Sequence, residues 1–221
     1  MNYFVVKASI DKKKIGPAYP QAEPVYPVSV NDPAFIHNAA PLYTKIGHDV
    51  TVPMARITKK STKLTDLLSA IGFGFTGRML ISDKLKTLLA AANHCGYQFF
   101  PTKVFDYANQ PHDYWLVNTY AFFPEYIDFQ ASPTWTESAS GAKLERVYCD
   151  SYDDFEHKRT MMAPVPVVVH EFVLAERLIE YDLFAVNHVP GVVQHIISEK
   201  LKTILEKEGC TGIDYFPVKT T

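Results

Sequence analysis

Cysteine, histidine and aspartate are the residue types in this chain that could form a catalytic centre. Cys149 with His157 or His170 could supply a thiol nucleophile and its general base. Asp66 and Asp182 could supply the two acids of a paired-carboxylate enzyme. Sequence spacing does not bring these groups together. Structural cysteines are commoner than catalytic ones, and a repeated aspartate before an apolar pair is more simply a turn or cap residue. An enzyme is therefore an alternative that no motif supports, and we predict a non-enzymatic protein.

The spacing of the histidines and cysteines does not indicate a metal site. None of the eight histidines lies four residues from another on a plausible helix. His188 and His195 flank a Pro-Gly turn and could meet across it, but histidines beside a turn are usually surface residues. Cys95, Cys149 and Cys210 are scattered and lack CxxC spacing, which favours a reducing compartment such as the cytoplasm. We expect no metal and no cofactor.

Two short motif matches lack the context that their functions require. Residues 72–77 spell GxGxxG, but an apolar strand follows where a dinucleotide fold would have a helix, so we interpret them as a turn. Residues 140–143 fit Ser-x-x-Lys, but the partner motifs of such enzymes are absent. They lie in a Ser/Thr/Gly-rich stretch, 131–145, that we predict to be a loop.

An acidic run with aromatic neighbours is the candidate for partner binding. Its carboxylates would attract a basic partner and its rings would anchor it. The same composition is typical of a solvated loop, and both interpretations stay open. The residues are Tyr148, Asp150, Tyr152, Asp153, Asp154, Phe155 and Glu156.

An internal repeat provides the elements that must position these groups. Residues 81–103 and 197–219 align without a gap and are identical at eleven of 23 positions, which indicates a true duplication. Ser82 and Ser198 each precede an acid and a leucine-rich run at helical spacing, so we predict that each serine caps a helix. Aromatic residues of high strand propensity follow each helix.

The full repeated unit is predicted to be strand, helix, strand, over about 65–105 and 181–221. The apolar stripe of each helix should be buried, so Leu88→Ala or Ile204→Ala should cost about 2–5 kcal/mol. The stripe residues are Leu85, Leu88, Leu89 and Ala92 in the first copy and Leu201, Ile204 and Leu205 in the second. The residues expected on the wet face are Lys84, Lys86, Lys200 and Lys202.

The N-terminal third is expected to be a strand followed by an extended surface segment. Residues 3–8 predict the strand, and 17–53 hold seven of the fifteen prolines, which argues against long helices. We expect aromatic rings to tie this segment to the body; they are Tyr19, Tyr26, Phe35 and Tyr43. Ser61 is predicted to open a short helix containing Leu64, Leu67 and Leu68.

Between the two copies, residues 114–123 and 165–169 predict strands. Residues 171–181 fit either a helix or a strand pair that turns at Glu176.

Composition bounds the class of protein. The chain has 221 residues, is 47% hydrophobic and carries a formal net charge of -2. This balance argues against general nucleic-acid binding, and no apolar run is long enough to span a membrane. We predict one α+β domain over 1–221, in which 61–221 is the duplicated core and 1–60 the strand and ordered Pro-rich segment.

The order of these elements resembles the bacterial polymorphic-toxin immunity protein family eleven, once known only as a domain of unknown function. The resemblance covers most of 61–221. The matching stretches are NYFVV (2–6), TDLL (65–68), ISDKLKTLL to FFP (81–101), YWLVN (114–118), IDFQAS (127–132) and the closing 182–218. It implies an α+β protein that binds and blocks a toxin encoded beside it, and the family offers no agreed active site to carry over to this chain.

The resemblance also suggests roles for particular residues. Trp115 matches the characteristic Trp of the family, which we interpret as core packing. Toxins that cut nucleic acid tend to be basic, so the acidic run at 148–156 could cover such a site. Alternatives are a small enzyme using Cys149 or the histidines, and a structural subunit. The sequence does not predict the oligomeric state.

Overall fold

The computed structural model describes residues 2–39, 44–47, 49–72, 74–75, 77–187 and 193–221. Within them the chain is α+β, as predicted, with fourteen strands and five helices. The strands are β1 (Tyr3–Ala8), β2 (Ala22–Val25), β3 (Met54–Ile57), β4 (Leu67–Leu68), β5 (Met79–Ser82), β6 (Tyr97–Phe105), β7 (Pro111–Thr119), β8 (Thr134–Glu137), β9 (Lys143–Val147), β10 (Val167–Val169), β11 (Val173–Leu174), β12 (Leu183–Asn187), β13 (Val193–Ser198) and β14 (Ile213–Thr220). The helices are α1 (Lys12–Ile15), α2 (Ile36–Ala39), α3 (Asp83–Ala91), α4 (Tyr152–Met161) and α5 (Glu199–Lys207).

Each copy of the repeat forms the predicted strand, capped helix and strand. These are β5, α3 and β6 in the first copy and β13, α5 and β14 in the second. The hydroxyl of Ser82 accepts from Leu85 N and that of Ser198 from Leu201 N, both at 3.2 Å. Both serines are therefore N-caps, and they satisfy one of the unpaired amides in each first helical turn.

Asp66 and Asp182 hold the two caps in place. Each carboxylate accepts a hydrogen bond from its cap serine hydroxyl at 2.6 Å, and the residue's own carbonyl accepts from the serine amide. The two acids therefore lie at separate helix starts and act as cap-supporting residues, as one of the sequence interpretations proposed.

Only part of the predicted helical stripe is buried. Leu85 and Leu89 are buried, as are Leu201 and Leu205, but Leu88 is only partly buried and Ile204 is 40% exposed. The prediction for Ile204 is therefore wrong. Two buried positions per helix, four residues apart, suffice because each helix is little more than two turns long.

The first copy lies in a six-stranded sheet with the order β2-β3-β6-β7-β5-β4, parallel only between β3 and β6. The sheet closes on itself, because Ala22 at the start of one edge strand bridges Ala70 beyond the other. Gln21 fastens this closure: its buried amide bonds the Lys63 carbonyl, Thr65 and Ser69. The closed sheet surrounds a barrel core that includes Ala22, Ile36, Ile57, Leu80, Phe100 and Leu116.

The Pro-rich segment belongs to this core and does more than cover its surface. Of its aromatic residues, Phe35 is fully buried, Tyr26 packs edge-on against it at 5.7 Å, and Tyr19 is exposed. Tyr43 lies outside the described residues. Residues 22–25 form β2, so the segment also completes the six-stranded sheet.

The second copy lies in a five-stranded sheet with the order β11-β14-β1-β13-β12, parallel only between β11 and β14. The N-terminal strand β1 therefore lies between the two strands of the second copy. The two sheets and helices α3 and α5 enclose a seam core built from both copies. Its members include Leu67, Ile81, Leu85, Leu89 and Tyr97, and their counterparts 116 positions later, Leu183, Ile197, Leu201, Leu205 and Ile213.

Several predicted elements are wrong. The helix after Ser61 is absent: Leu67 and Leu68 form β4, where Leu67 joins the seam core and Leu68 the barrel core. Successive side chains of a strand point to opposite faces, so both leucines are buried, one in each core. The spacing of the leucines had suggested a helix. The predicted loop at 131–145 is a hairpin, β8 and β9, in which Thr134 and Thr136 are buried.

Other boundaries shift. The strand predicted over 114–123 runs from Pro111 to Thr119, and that over 165–169 begins at Val167. The ambiguous stretch 171–181 is neither a long helix nor a strand pair. It is β11 followed by a 3-10 turn at Glu176–Leu178, because Val173 and Leu174 pair with β14. Gly72, Gly74 and Gly77 have positive φ and lie in a turn, as predicted.

Candidate partner-binding surface

The groups that could have formed a catalytic centre are kept apart. Cys149 is buried, and burial raises the pKa of its thiol, which disfavours the reactive thiolate. His170 Nε2 lies 2.7 Å from a carboxylate oxygen of Glu137, and His157 is exposed on α4. Within the described residues neither histidine hydrogen-bonds to Cys149, so no thiol–imidazole pair forms there.

No metal-binding group of three or more histidine, cysteine or carboxylate side chains occurs among the described residues. His48 and His188 lie outside them, as does the Pro-Gly turn that His188 flanks. His195 is buried in the seam, and its Nδ1 lies 3.3 Å from the Tyr97 hydroxyl. It is therefore not the surface histidine that its place beside a turn suggested.

The acidic run is the start of a helix and not a solvated loop. Ser151 caps α4 by accepting from Asp154 N at 3.2 Å. Phe155 is fully buried against Phe129, with ring centroids 5.2 Å apart, and fastens the helix to the body. The prediction that Phe155 contacts a partner is therefore wrong. Its burial follows from its place on the inner face of α4, four residues beyond the cap.

Two of the acidic residues are paired within α4. Asp154 lies 2.7 Å from Lys158 and Glu156 pairs with Arg159, one turn along the helix in each case. The ammonium of Lys158 donates to Asp154 and lowers the pKa of that carboxyl. Asp150 and Asp153 are exposed, and no basic side chain pairs with them in the described part of the chain. Within the acidic run, the negative charge that is open to a partner therefore lies on Asp150 and Asp153.

A cleft of about 650 Å³ opens beside the start of α4. Asp150, Tyr152 and Asp153 line one side of it. The opposite sides come from the 3-10 turn at 124–126 with the residues after it, and from the 3-10 turn at 176–178. Four carboxylates line the described cleft, from Glu125, Asp128, Asp150 and Asp153, against one cation, Arg177.

Leu178 adds an apolar wall to the cleft and is 46% exposed. Asp128 is held in place, because one carboxylate oxygen accepts from Ala131 N at 3.0 Å and the other from the Thr221 hydroxyl at 2.9 Å. The cleft therefore combines fixed negative charge with apolar surface, as expected for a site that receives a long basic side chain.

Sequence reasoning identified only one wall of this cleft. Glu125, Arg177 and Leu178 have no motif and are brought in by the two 3-10 turns. The single signal was the IDFQAS stretch of the family resemblance, since residues 127–130 of that stretch line the cleft. Of the remaining predicted residues, Tyr148 is 71% exposed, with the Arg146 guanidinium 4.7 Å from its ring centroid.

Trp115, the residue that resembles the characteristic Trp of the family, is only half-buried. Its indole N–H donates to Asp83 at 2.9 Å, and the Lys86 ammonium lies 4.7 Å from the ring centroid. It packs against the rim of the seam core and anchors α3 to β7.

The described part of the chain contains no helix of the length and apolarity that crossing a bilayer demands. Among curated proteins, none matches the sequence. A family model does match, over residues 48–220, which takes in the stretch 61–221 where most of the resemblance lies but not the NYFVV stretch at 2–6. Its description is "Immunity protein family (Imm11)", which suggests an immunity function and a non-enzymatic role. Because the match covers more than three quarters of the chain, the protein belongs to this immunity protein family.

Proposed function

We propose that this protein binds one cognate bacterial toxin and neutralises it by direct contact, in the cytoplasm of the cell that makes both. The observation that carries the proposal is the family match over 48–220. Such a function requires a rigid surface complementary to one partner and no bond making or breaking.

We propose further that the acidic cleft receives a basic segment of the toxin. Asp150 and Asp153 are open to solvent, so they can attract a positively charged surface during encounter and pair with it on docking. Tyr152 and Leu178 offer the apolar contact that the stem of an arginine or lysine needs. Tyr148 could extend the same surface.

Asp154 and Glu156 contribute less in this proposal, because Lys158 and Arg159 already neutralise them. Phe155 contributes indirectly, by fixing α4 to the body. The surface is thus narrower than the acidic run and extends to Glu125 and Asp128 on the facing wall.

The test is growth rescue and affinity with the toxin encoded beside this gene. We expect the native chain to restore growth, and Asp150→Lys with Asp153→Lys to weaken toxin binding by at least about tenfold. The matched control is Glu206→Lys with Glu208→Lys, which makes the same charge change on exposed residues at the end of α5. It should leave binding within about twofold.

The outcomes separate the two parts of the proposal. Native chain that neither binds nor neutralises the adjacent toxin contradicts the function. Full rescue by the Asp150 and Asp153 variant, with unchanged affinity, contradicts the cleft as the binding surface and leaves the function standing.

A further inference from the structure

A second cleft, of about 450 Å³, opens at the seam between the two sheets. Strand β1 and the start of β13 form one side, and β4, β5 and the residues between them form the other. Tyr19 and Ile71 stand at its rim and are exposed. Nothing in the toxin-binding proposal uses this cleft.

The cleft tapers into the seam core. A small void of about 10 Å³ lies beneath it, lined by apolar side chains from both copies of the repeat. The cleft and the void share Val6, Leu67, Met79 and His195. The floor is therefore apolar except for one imidazole.

His195 is only 8% exposed, and it lines both the cleft and the void beneath it. Among the described residues the buried Tyr97 hydroxyl has His195 Nδ1, 3.3 Å away, as its hydrogen-bond partner. We assign the hydroxyl as donor and Nδ1 as acceptor, because the reverse would leave the hydroxyl proton without an acceptor in that part of the chain. This assigns the proton to Nε2, which makes no hydrogen bond within the described part of the chain. Burial lowers the His195 pKa to about 4, so the ring is neutral at pH 7.

The repeat itself shows that the fold does not need this polar pair. At the offset of 116 that relates the copies, His195 corresponds to Met79 and Tyr97 to Ile213. Met79 and Ile213 are buried in the same seam core. An apolar pair thus occupies the equivalent positions, and a buried polar pair beside an accessible cleft needs another explanation.

The charges around the cleft favour an acceptor over a donor. No aspartate or glutamate is among its described lining residues, whereas Lys7 and Arg78 are. Both cations already have partners: the Lys7 ammonium is 5.6 Å from the Phe216 ring centroid, and Nε of the buried Arg78 donates to Asn118. A carboxylate entering here meets no like charge, and an ammonium meets no counter-charge.

We propose that the seam cleft binds a small molecule with an apolar body and a carboxylate group, and that one carboxylate oxygen accepts a hydrogen bond from His195 Nε2. The volume of the cleft lies in the range of small-molecule sites, which join apolar walls to a few polar groups. The Tyr97 hydroxyl is a positioning group, because it fixes the tautomer that donates.

Octanoate is a suitable probe, with octylammonium as a control that has the same tail and no acceptor. By isothermal titration calorimetry we expect saturable one-to-one binding of octanoate, about tenfold tighter than any binding of octylammonium. By ¹⁵N NMR of the native protein we expect octanoate to shift the His195 Nε2 resonance more than those of the other histidines.

Two variants test the role of the imidazole. His195→Met installs the residue of the first copy and should weaken octanoate binding about tenfold without changing octylammonium. Tyr97→Phe removes the hydroxyl that fixes the His195 tautomer, and it should weaken octanoate binding by a smaller factor. Should His195→Met fail to fold, the NMR shift in the native protein decides. Equal affinity for the two probes, or octanoate binding without a His195 shift, would overturn the proposal.

Discussion

The two copies of the repeat share one frame but obtain its central strand from opposite directions along the chain. In the first copy β7 lies between β5 and β6 and follows them in sequence. In the second copy the same place, between β13 and β14, is taken by β1 from the N-terminus. The duplicated unit therefore has one more strand than the aligned repeat shows.

The registers establish this equivalence residue by residue. Tyr114 lies opposite Ser82, and Tyr3 lies opposite Ser198. The sequences Tyr-Trp-Leu-Val of β7 and Tyr-Phe-Val-Val of β1 then align. The ammonium of Lys86 lies over Trp115, and that of Lys202 lies over Phe4 at 4.4 Å. The comparison teaches that β1 is a permuted part of the second copy.

The copies differ in how their cap acids are held. Asp66 also accepts from the amide of Thr211 at 2.8 Å and from its hydroxyl at 3.0 Å, so the first copy is tied to the loop after α5. Asp182 accepts from Lys200 at 3.0 Å, whereas the equivalent Lys84 lies 3.6 Å from Asp66, and the Asp182 amide donates to the Asn93 carbonyl after α3. Backbone bonds fasten each copy to the other, from Leu67 N to Thr211 O and from Leu183 N to Asn93 O, and the Asp66 carboxylate adds its two bonds to Thr211.

The largest expected effect tests whether the two copies of the repeat contribute equally to the stability of the seam core. Leu85→Ala and Leu201→Ala each remove a buried side chain from equivalent places, so each should lower the unfolding free energy by about 2–5 kcal/mol. Ile204→Ala, at an exposed position, should cost less than about 1 kcal/mol. Urea unfolding measures all three. A large difference between the two leucine variants would break the equivalence.

The polar pair in the seam, which has no equivalent at Met79 and Ile213, should make the stability of the protein fall in acid. Burial lowers the His195 pKa from its usual 6.5 to about 4, so the unfolded chain binds this proton first and stability falls as pH drops through that window. The loss should reach about 3 kcal/mol at pH 4. It should be absent from Tyr97→Phe with His195→Met, measured by urea unfolding at pH 4–7. An equal loss in that double variant would contradict this assignment.

Removing the cap acids should show the asymmetry between them. Asp66→Ala loses three hydrogen bonds and should cost about 2–3 kcal/mol, against about 1 kcal/mol for Asp182→Ala. Burial raises the Asp66 pKa, but the bonds from Ser82 and Thr211 outweigh it, and the pKa is lowered. The Asp66 contribution is therefore complete above about pH 4 and is lost as pH falls further. Thermal unfolding of both variants at neutral pH gives the ranking, and equal costs would refute it.

The smallest expected effect comes from a permutation that makes the second copy continuous. Residues 1–10 can be placed behind Thr221 through the sequence of Asp106–Pro111, which connects β6 to β7. Because Tyr3 already lies opposite Val218, we expect the permuted chain to fold with a loss below about 2 kcal/mol. The control omits residues 1–10 and should not fold. A permuted chain that fails to fold would refute the strand equivalence.

Local patterns in the sequence specified the repeated elements well. Ser82 and Ser198 each stand before an acid and a leucine stripe, and a capped helix is decided by such short-range contacts. The strand at residues 3–8 and the α+β class follow from equally local signals. The prediction of a helix at Leu67 and Leu68 was wrong, because adjacent leucines fit a helix face as well as a strand buried on both sides.

By itself the sequence determined that one unit occurs twice, where its helices start and that the chain resembles an immunity protein. Only the tertiary structure decided that β1 completes the second copy, that Phe155 lies inside and that Glu125, Asp128 and Arg177 meet the acidic run in one cleft. The physical reason is range: caps and helical stripes form between residues three or four apart, whereas strand order and clefts join residues far apart in the chain.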